Sequence, residues 1–359
     1  MIRPIAIHLP QFHPIPENDR WWGMGFTEWT NVSRARPLFE GHYQPHLPAD
    51  LGFYDLRLEE ARVAQADLAR QYGIYGFCYY HYWFNGKRLL ERPLDDMLRT
   101  KTPDFPFMLC WANENWSRRW DGNEKEVLME QHYSREDDIA HLTFLCNSFF
   151  RDERYIRVDD KPFLAIYRPT LFPDIRRTTD VWRETALKLG FKGLYLAYVQ
   201  GFNLREDPVS MGFDAAIDFQ PDFYTPVPVQ RPSGLEQWSN RLLGKRSAFL
   251  DNSIRDYGRY VDFVKGLPQP PYMQYPCVTP MWDNTARRKT GATIFDGSTP
   301  EIYQDWLKHT VTRFRPRTDE ENFIFINAWN EWAEGNHLEP CQKWGRAYLE
   351  ATKRALDHG

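Results

Sequence analysis

Short, nearly continuous apolar runs recur along the chain, each bounded by polar or turn-forming residues. Eight stand out: Ile5–Leu9, Gly76–Tyr80, Phe107–Trp111, Phe163–Tyr167, Leu194–Tyr198, Ala215–Phe219, Tyr275–Thr279 and Phe323–Asn327. Runs that do not alternate suit strands buried on both faces, as in a parallel sheet. Helical spacing lies between several of them. Leu58, Ala61, Ala64 and Leu68 lead to a stop at Gly73, and Val181, Thr185 and Leu189 lead to one at Gly190. Thr299-Pro300 reads as an N-cap and first helical residue before Ile302, Trp306 and Thr310, and a last helix runs from about Lys343 to Ala355. This alternation over 359 residues predicts a single-domain (β/α)8 barrel spanning residues 1–359. Two connections are too long for plain barrel loops. One follows strand one, from Pro10 to about Asp55, and carries Trp21, Trp22, Trp29, His42 and His46; the other follows strand six, from Gln220 to about Tyr272. Long loops of this kind are usually functional.

Composition narrows the classes. Hydrophobic residues make up 42% and charged residues 26%, enough for a sizeable core. A net charge of -4 lacks the basic face of a nucleic-acid binder, and no apolar run is long enough to enter a membrane. Cys78, Cys110, Cys146, Cys277 and Cys341 are odd in number, widely spaced and without C-x-x-C. With no secretory pattern at Met1-Ile2-Arg3-Pro4, they predict reduced thiols in a cytoplasmic chain. The unusual feature is aromatic: 14 Trp, 19 Tyr and 24 Phe, with many Trp and Tyr beside polar residues. Most would be core. The remainder suit a sugar-binding surface, where an apolar C–H face stacks on a ring and hydroxyls meet polar partners.

Barrel enzymes build their sites at the C-terminal ends of the strands. There this chain places His8, then Tyr80, His81, Tyr82 and Trp83, then Trp111, Asn113, Glu114 and Trp116. Tyr167, Arg168, Tyr198, Trp282 and Asn330 follow at later strands. All are expected to line a cleft for an oligo- or polysaccharide, with at least two of Trp83, Trp111, Trp116 and Trp282 in one groove. Glu331 and Glu334 are the sharpest pair, because an i, i+3 spacing puts both carboxyls on one side of the backbone. Glycoside hydrolysis needs two carboxyls, one protonated and one ionised, and mutual repulsion beside Trp329 and Trp332 would push one pKa up and leave the other low. The same spacing would also serve a helix N-terminus.

Other motifs say less. Gly23-Met24-Gly25 lacks the third glycine and the preceding strand of a dinucleotide loop. Pro45 between His42 and His46 disfavours a metal-binding helix, and His8, His13 and His81 read as hydrogen-bonding groups; neither metal nor cofactor is expected. No D-x-D triplet, P-loop or G-x-S-x-G occurs, and Asp95-Asp96 and Glu136-Asp137-Asp138 read as solvated helix faces.

Asn330-Glu331-Trp332-Ala333-Glu334-Gly335, continuing to Leu338-Glu339-Pro340, resembles the signature of the glycoside hydrolase family 99 endo-mannosidases. Leu9-Pro10-Gln11-Phe12-His13-Pro14 with Gly25-Phe26-Thr27-Glu28-Trp29 resembles the WbsX group, GH99-like proteins often found among O-antigen genes and commonly labelled glycosyltransferases. Tyr80-His81-Tyr82-Trp83 and Trp111-Ala112-Asn113-Glu114 are similar to that group too, so this resemblance covers nearly the whole chain. It implies a retaining mechanism in which the sugar's own 2-hydroxyl is the nucleophile. Glu331 would be the base on that hydroxyl, and Glu334 the acid that protonates the leaving oxygen. The endo-mannosidases carry His where this chain has Ala333, a departure expected to bear on sugar choice more than on the reaction. The reading is a retaining, endo-acting hydrolase of a mannose- or rhamnose-type bacterial polysaccharide. A glycosyltransferase or transglycosylase of O-antigen assembly is the alternative, and an inactive glycan-binding module the third. A phosphorylated donor would need basic residues at the site, where the strand ends offer mainly Arg168.

Overall fold

The computed structural model describes residues 2–118, 123–232, 234, 247–288 and 290–357. Its centre is a closed parallel barrel of β1 (Arg3–His8), β2 (Gly76–Phe84), β3 (Phe107–Trp111), β4 (Lys161–Ile166), β5 (Tyr195–Gln200), β6 (Ala215–Asp218), β7 and β8 (Phe323–Ile326). Every neighbouring pair is parallel, including the closing pair β8–β1 with Ala6 opposite Ile326. The seventh strand is split. Gln274–Tyr275 pairs with β6 and Cys277–Val278 pairs with β8, because Pro276 between them has no N–H to give to a ladder. Its carbonyl still accepts from Phe325 N at 2.8 Å, so the barrel stays closed.

Helices Glu59–Gln71, Arg92–Thr100, Arg135–Ser148, Ile175–Lys188, Tyr257–Lys265, Pro300–Arg313 and Ala347–Asp357 surround the barrel. Between β5 and β6 a 3-10 turn, Pro208–Met211, takes the place of a helix. Thr299 caps Pro300–Arg313 by accepting from Ile302 N, and Gly73 and Gly190 follow their helices at φ +84° and +86°. One apolar core runs from Ile5 to Ala355. The acidic helix residues are less solvated than their sequence implied. Asp96 is buried between Arg92 and Arg99, and buried Asp138 accepts from Thr178 at 3.0 Å.

Three long connections crown the C-terminal mouth. The first, after β1, carries helices Pro16–Trp22 and Glu28–Arg34. The second, after β6, contributes strand Ser253–Asp256, which pairs with Thr293–Asp296 of the loop after β7. The third was not read from the sequence: after β3 the strands Trp116–Arg118 and Asn123–Met129 form an antiparallel hairpin.

Candidate active site

The chain leaves β8 still paired to β1, with Trp329 N donating to Ile7 O at 2.7 Å. The Asn330 side chain continues the pairing, accepting from Leu9 N at 2.7 Å and donating to Leu9 O at 3.0 Å. Asn330–Glu331 then pairs antiparallel with Asn336–His337, and Trp332–Glu334 form a single 3-10 turn at the tip. Gly335 closes this hairpin at φ +55°, where an added Cβ would stand 2.9 Å from Asp283 O; glycine alone fits. The hairpin therefore projects Glu331 and Glu334 to one side, into a cleft of about 490 Å³. Glu331 sits at the N-cap position of the turn but makes no capping hydrogen bond, so its carboxyl is not spent on a helix end.

One arginine holds both carboxyls. Arg287 donates through Nη1 to Glu334 at 2.6 Å and through Nη2 to Glu331 at 2.8 Å and Glu28 at 2.7 Å. Glu28 also accepts from Ala333 N at 3.0 Å, between the two glutamates. Burial raises the Glu331 pKa to about 8 against the pull of Arg287, with Glu334 and Glu28 adding repulsion. Burial likewise raises Glu334, again opposed by Arg287. The expected split, one carboxyl up and the other low, is replaced by a cluster in which both move up. Tyr80, Tyr82 and Tyr167 line the same cleft as phenols kept protonated by burial, hence as donors.

Of the residues expected there, Tyr80, Tyr82, Glu114, Trp116, Tyr167, Trp282, Glu331 and Glu334 line the cleft. The others stand elsewhere, and strand alternation explains most of them. On β2, Tyr80 and Tyr82 point inward while His81 and Trp83 point out beneath helix Arg135–Ser148. His81 meets His141 at 3.0 Å, and Trp83 stacks on His141 and donates to Asp137 at 3.0 Å. Trp111 packs in the same layer, 4.4 Å from the His141 ring and 6.0 Å from Trp182. His8 turns outward to Gln65 at 3.2 Å. Asn113 clips the Arg168 backbone at 2.8 Å and 2.9 Å, and Tyr198 donates to Glu206 O at 2.5 Å. Asn330 serves the backbone, as above. Arg168 pairs with Glu114 at the cleft wall and lies 3.8 Å from the centre of the Phe202 ring, outside the lining. Substrate contact through His8, His81, Trp83, Trp111, Asn113, Tyr198 and Asn330 is thus withdrawn. Ala333 is also fully buried and off the cleft, and its contact with Glu28 is through the backbone N–H, which any residue at that position would offer.

The sequence reading missed Arg287 and Arg288, which line the cleft a few residues beyond Trp282, in the loop after the seventh strand. Glu28 lay in plain view within Gly25–Trp29, but only the structure brings it to Arg287. Trp22, Phe202, Phe219, Phe223 and Tyr224 add to the aromatic lining from the connections after β1, β5 and β6. His42 and His46 brace the hairpin from outside: His42 meets Asp283 at 2.6 Å, and His46 meets His337 at 3.0 Å. Among the described residues, no group of three or more His, Cys, Asp or Glu could hold a metal ion.

The family described as glycosyltransferase WbsX matches residues 4–352. The chain belongs to the WbsX family. The uncharacterized protein WxcX of Xanthomonas campestris pv. campestris is 46% identical over 353 residues in each of two strains, covering 98% of this chain. This WbsX chain spans 49% of that relative's length. In three dimensions it resembles a GH99 endo-α-mannosidase of Bacteroides thetaiotaomicron, with TM-score 0.58, 12% identity and coverage of 99% of this chain and 96% of that one. A glycoside hydrolase-like protein gives TM-score 0.58 at 13% identity, covering 99% and 93%. At such identities the likeness establishes that this chain shares the barrel fold of the GH99 enzymes.

Proposed function

We propose that this chain is a retaining, endo-acting glycoside hydrolase of a manno-configured polysaccharide, of mannose or rhamnose type. The observation that carries the reading is the pair Glu331 and Glu334, projected by one hairpin into an open cleft lined with aromatic rings and phenolic donors. Glu331 takes the proton of the sugar 2-hydroxyl as that oxygen attacks C1, while Glu334 gives its proton to the departing oxygen. A 1,2-anhydro sugar and a free alcohol result. Glu334, now ionised, takes a proton from water, the water oxygen bonds to C1, and Glu331 returns its proton to O2. Burial raises the proton affinity of both groups, so the pair holds a proton more readily than two ordinary carboxyls would, as a site needing one acid and one base requires.

A second reading is favoured by Arg287 and Arg288. They supply positive charge in the cleft, as a phosphorylated donor would require, and the family's description is that of a glycosyltransferase. Defined manno- and rhamno-oligosaccharides, incubated with and without nucleotide sugars, separate the two. Cleavage without donor, with products of retained anomeric configuration, is expected. Chain extension that requires the donor, with no cleavage in its absence, would replace the first reading by the second. Turnover of a 2-deoxy substrate at the normal rate would remove the 2-hydroxyl step.

A further inference from the structure

Three loops from adjacent strands meet at one guanidinium: Glu28 after β1, Arg287 after β7, and Glu331 with Glu334 after β8. Arg287 is planar and forked, so it sets the two cleft carboxyls at a defined separation. It is not aimed by those carboxyls alone. Glu28, with its side chain wholly buried, shares one oxygen between Arg287 Nη2 and the amide of Ala333. That oxygen ties the guanidinium to the backbone of the very turn that carries Glu331 and Glu334. The other Glu28 oxygen is buried with no hydrogen-bond partner among the described protein groups.

We propose that Arg287 and Glu28 are positioning residues: Arg287 sets the spacing of the two cleft carboxyls, and Glu28, tied to it and to the turn, offsets its charge so that the cluster keeps one proton. The proposal rests on the reading of Glu331 and Glu334 as the reacting groups. The charge count supports it. Three carboxyls against one guanidinium leave negative charge in excess, and Arg288, which acts on Glu334, does not reverse it. Among the described residues, the cluster is also faced by Tyr80, Tyr82 and Tyr167, phenols held protonated by burial that do not share the titration near neutrality, and the same cleft is lined by Glu114, paired with Arg168. Removing the Glu28 charge should let both glutamates ionise at lower pH and strip the acid of its proton.

The test is a carboxyl titration of the substrate-free protein by NMR with 13C-labelled glutamate. The wild type should hold one cluster proton at pH 7. Glu28→Gln keeps the shape and one acceptor oxygen, and it should move the upper apparent pKa down by about one unit. The alkaline limb of kcat/KM should move by the same amount with KM little changed. A packing role alone would lower Tm and leave the titration in place. Full ionisation of the wild-type cluster at pH 7 overturns the proposal with no variant needed, as does an unmoved titration in folded Glu28→Gln. A moved titration in a protein that cleaves no glycoside overturns the functional reading and upholds the charge cluster.

Discussion

Glu331 and Glu339 follow β8 within one short stretch, both are buried, and burial raises both pKa values, to about 8 and about 7. Their surroundings differ. Glu339 accepts from Tyr54 at 2.8 Å, Gln65 at 2.7 Å and Trp332 at 2.6 Å, all neutral donors, and lies off the cleft. Glu331 is held by the charge of Arg287, repelled by two further carboxyls, and lines the cleft. A raised pKa alone thus marks burial. On the proposed reading, what would equip Glu331 for proton transfer is an unbalanced charge cluster at the wall of a void, whereas Glu339 has its acceptor capacity filled by the scaffold.

Kinetics should break the comparison most sharply. Glu331→Gln and Glu334→Gln should each lose ~10²–10⁴-fold in kcat with binding retained, the size of a proton-transfer contribution. Glu334→Gln should recover on a glycosyl fluoride, whose leaving group needs little protonation, and Glu331→Gln should not. Glu339→Gln should keep kcat within about tenfold, since its acceptor oxygen survives; a loss as deep as that of Glu331→Gln would merge the two roles.

Stability should invert the order. Glu339→Ala strands three buried donors and should cost about 3 kcal/mol or more, seen as a fall in urea midpoint. Trp111→Ala, which empties the layer between β3 and the outer helices, should cost about 3–5 kcal/mol. Glu331→Gln should go the other way as pH rises. A carboxyl whose folded pKa lies above its unfolded value binds more protons when folded, so it erodes stability between about pH 4.5 and 8. The variant should gain up to about 4 kcal/mol on wild type by pH 8 and almost nothing at pH 4.5. An advantage independent of pH would mean that Glu331 does not titrate in this range.

The eight strand positions were legible because buried parallel strands read as apolar runs, and Thr299-Pro300 and Gly190 marked helix ends by their own chemistry. The Glu331–Glu334 pair was legible because its spacing is local. Which face of a strand meets the cleft was not. His81 and Trp83 alternate with Tyr80 and Tyr82, all four are aromatic rings with a polar atom, and only the barrel register tells inside from outside. Glu28 and Arg287 were beyond reach for another reason. They are 259 positions apart in the chain, and each alone is an ordinary loop charge.

A cleft tryptophan set against an outward one on β2 gives the smallest predicted effect. Trp116 lines the cleft, packed 5.1 Å from Tyr82 and 5.8 Å from Trp21 on the loop after β1. A ring stacked on a sugar is used equally in the ground and transition states, so its loss should raise KM and leave kcat nearly unchanged. Trp116→Ala should raise KM about tenfold, near 1.4 kcal/mol. Trp83→Ala, from the outward face of β2, should leave KM alone in whatever fraction remains folded, because its ring touches His141 and Phe144 and not the void. If the two variants raise KM alike, the assignment of Trp83 to the helix-facing side of β2, away from the cleft, is wrong.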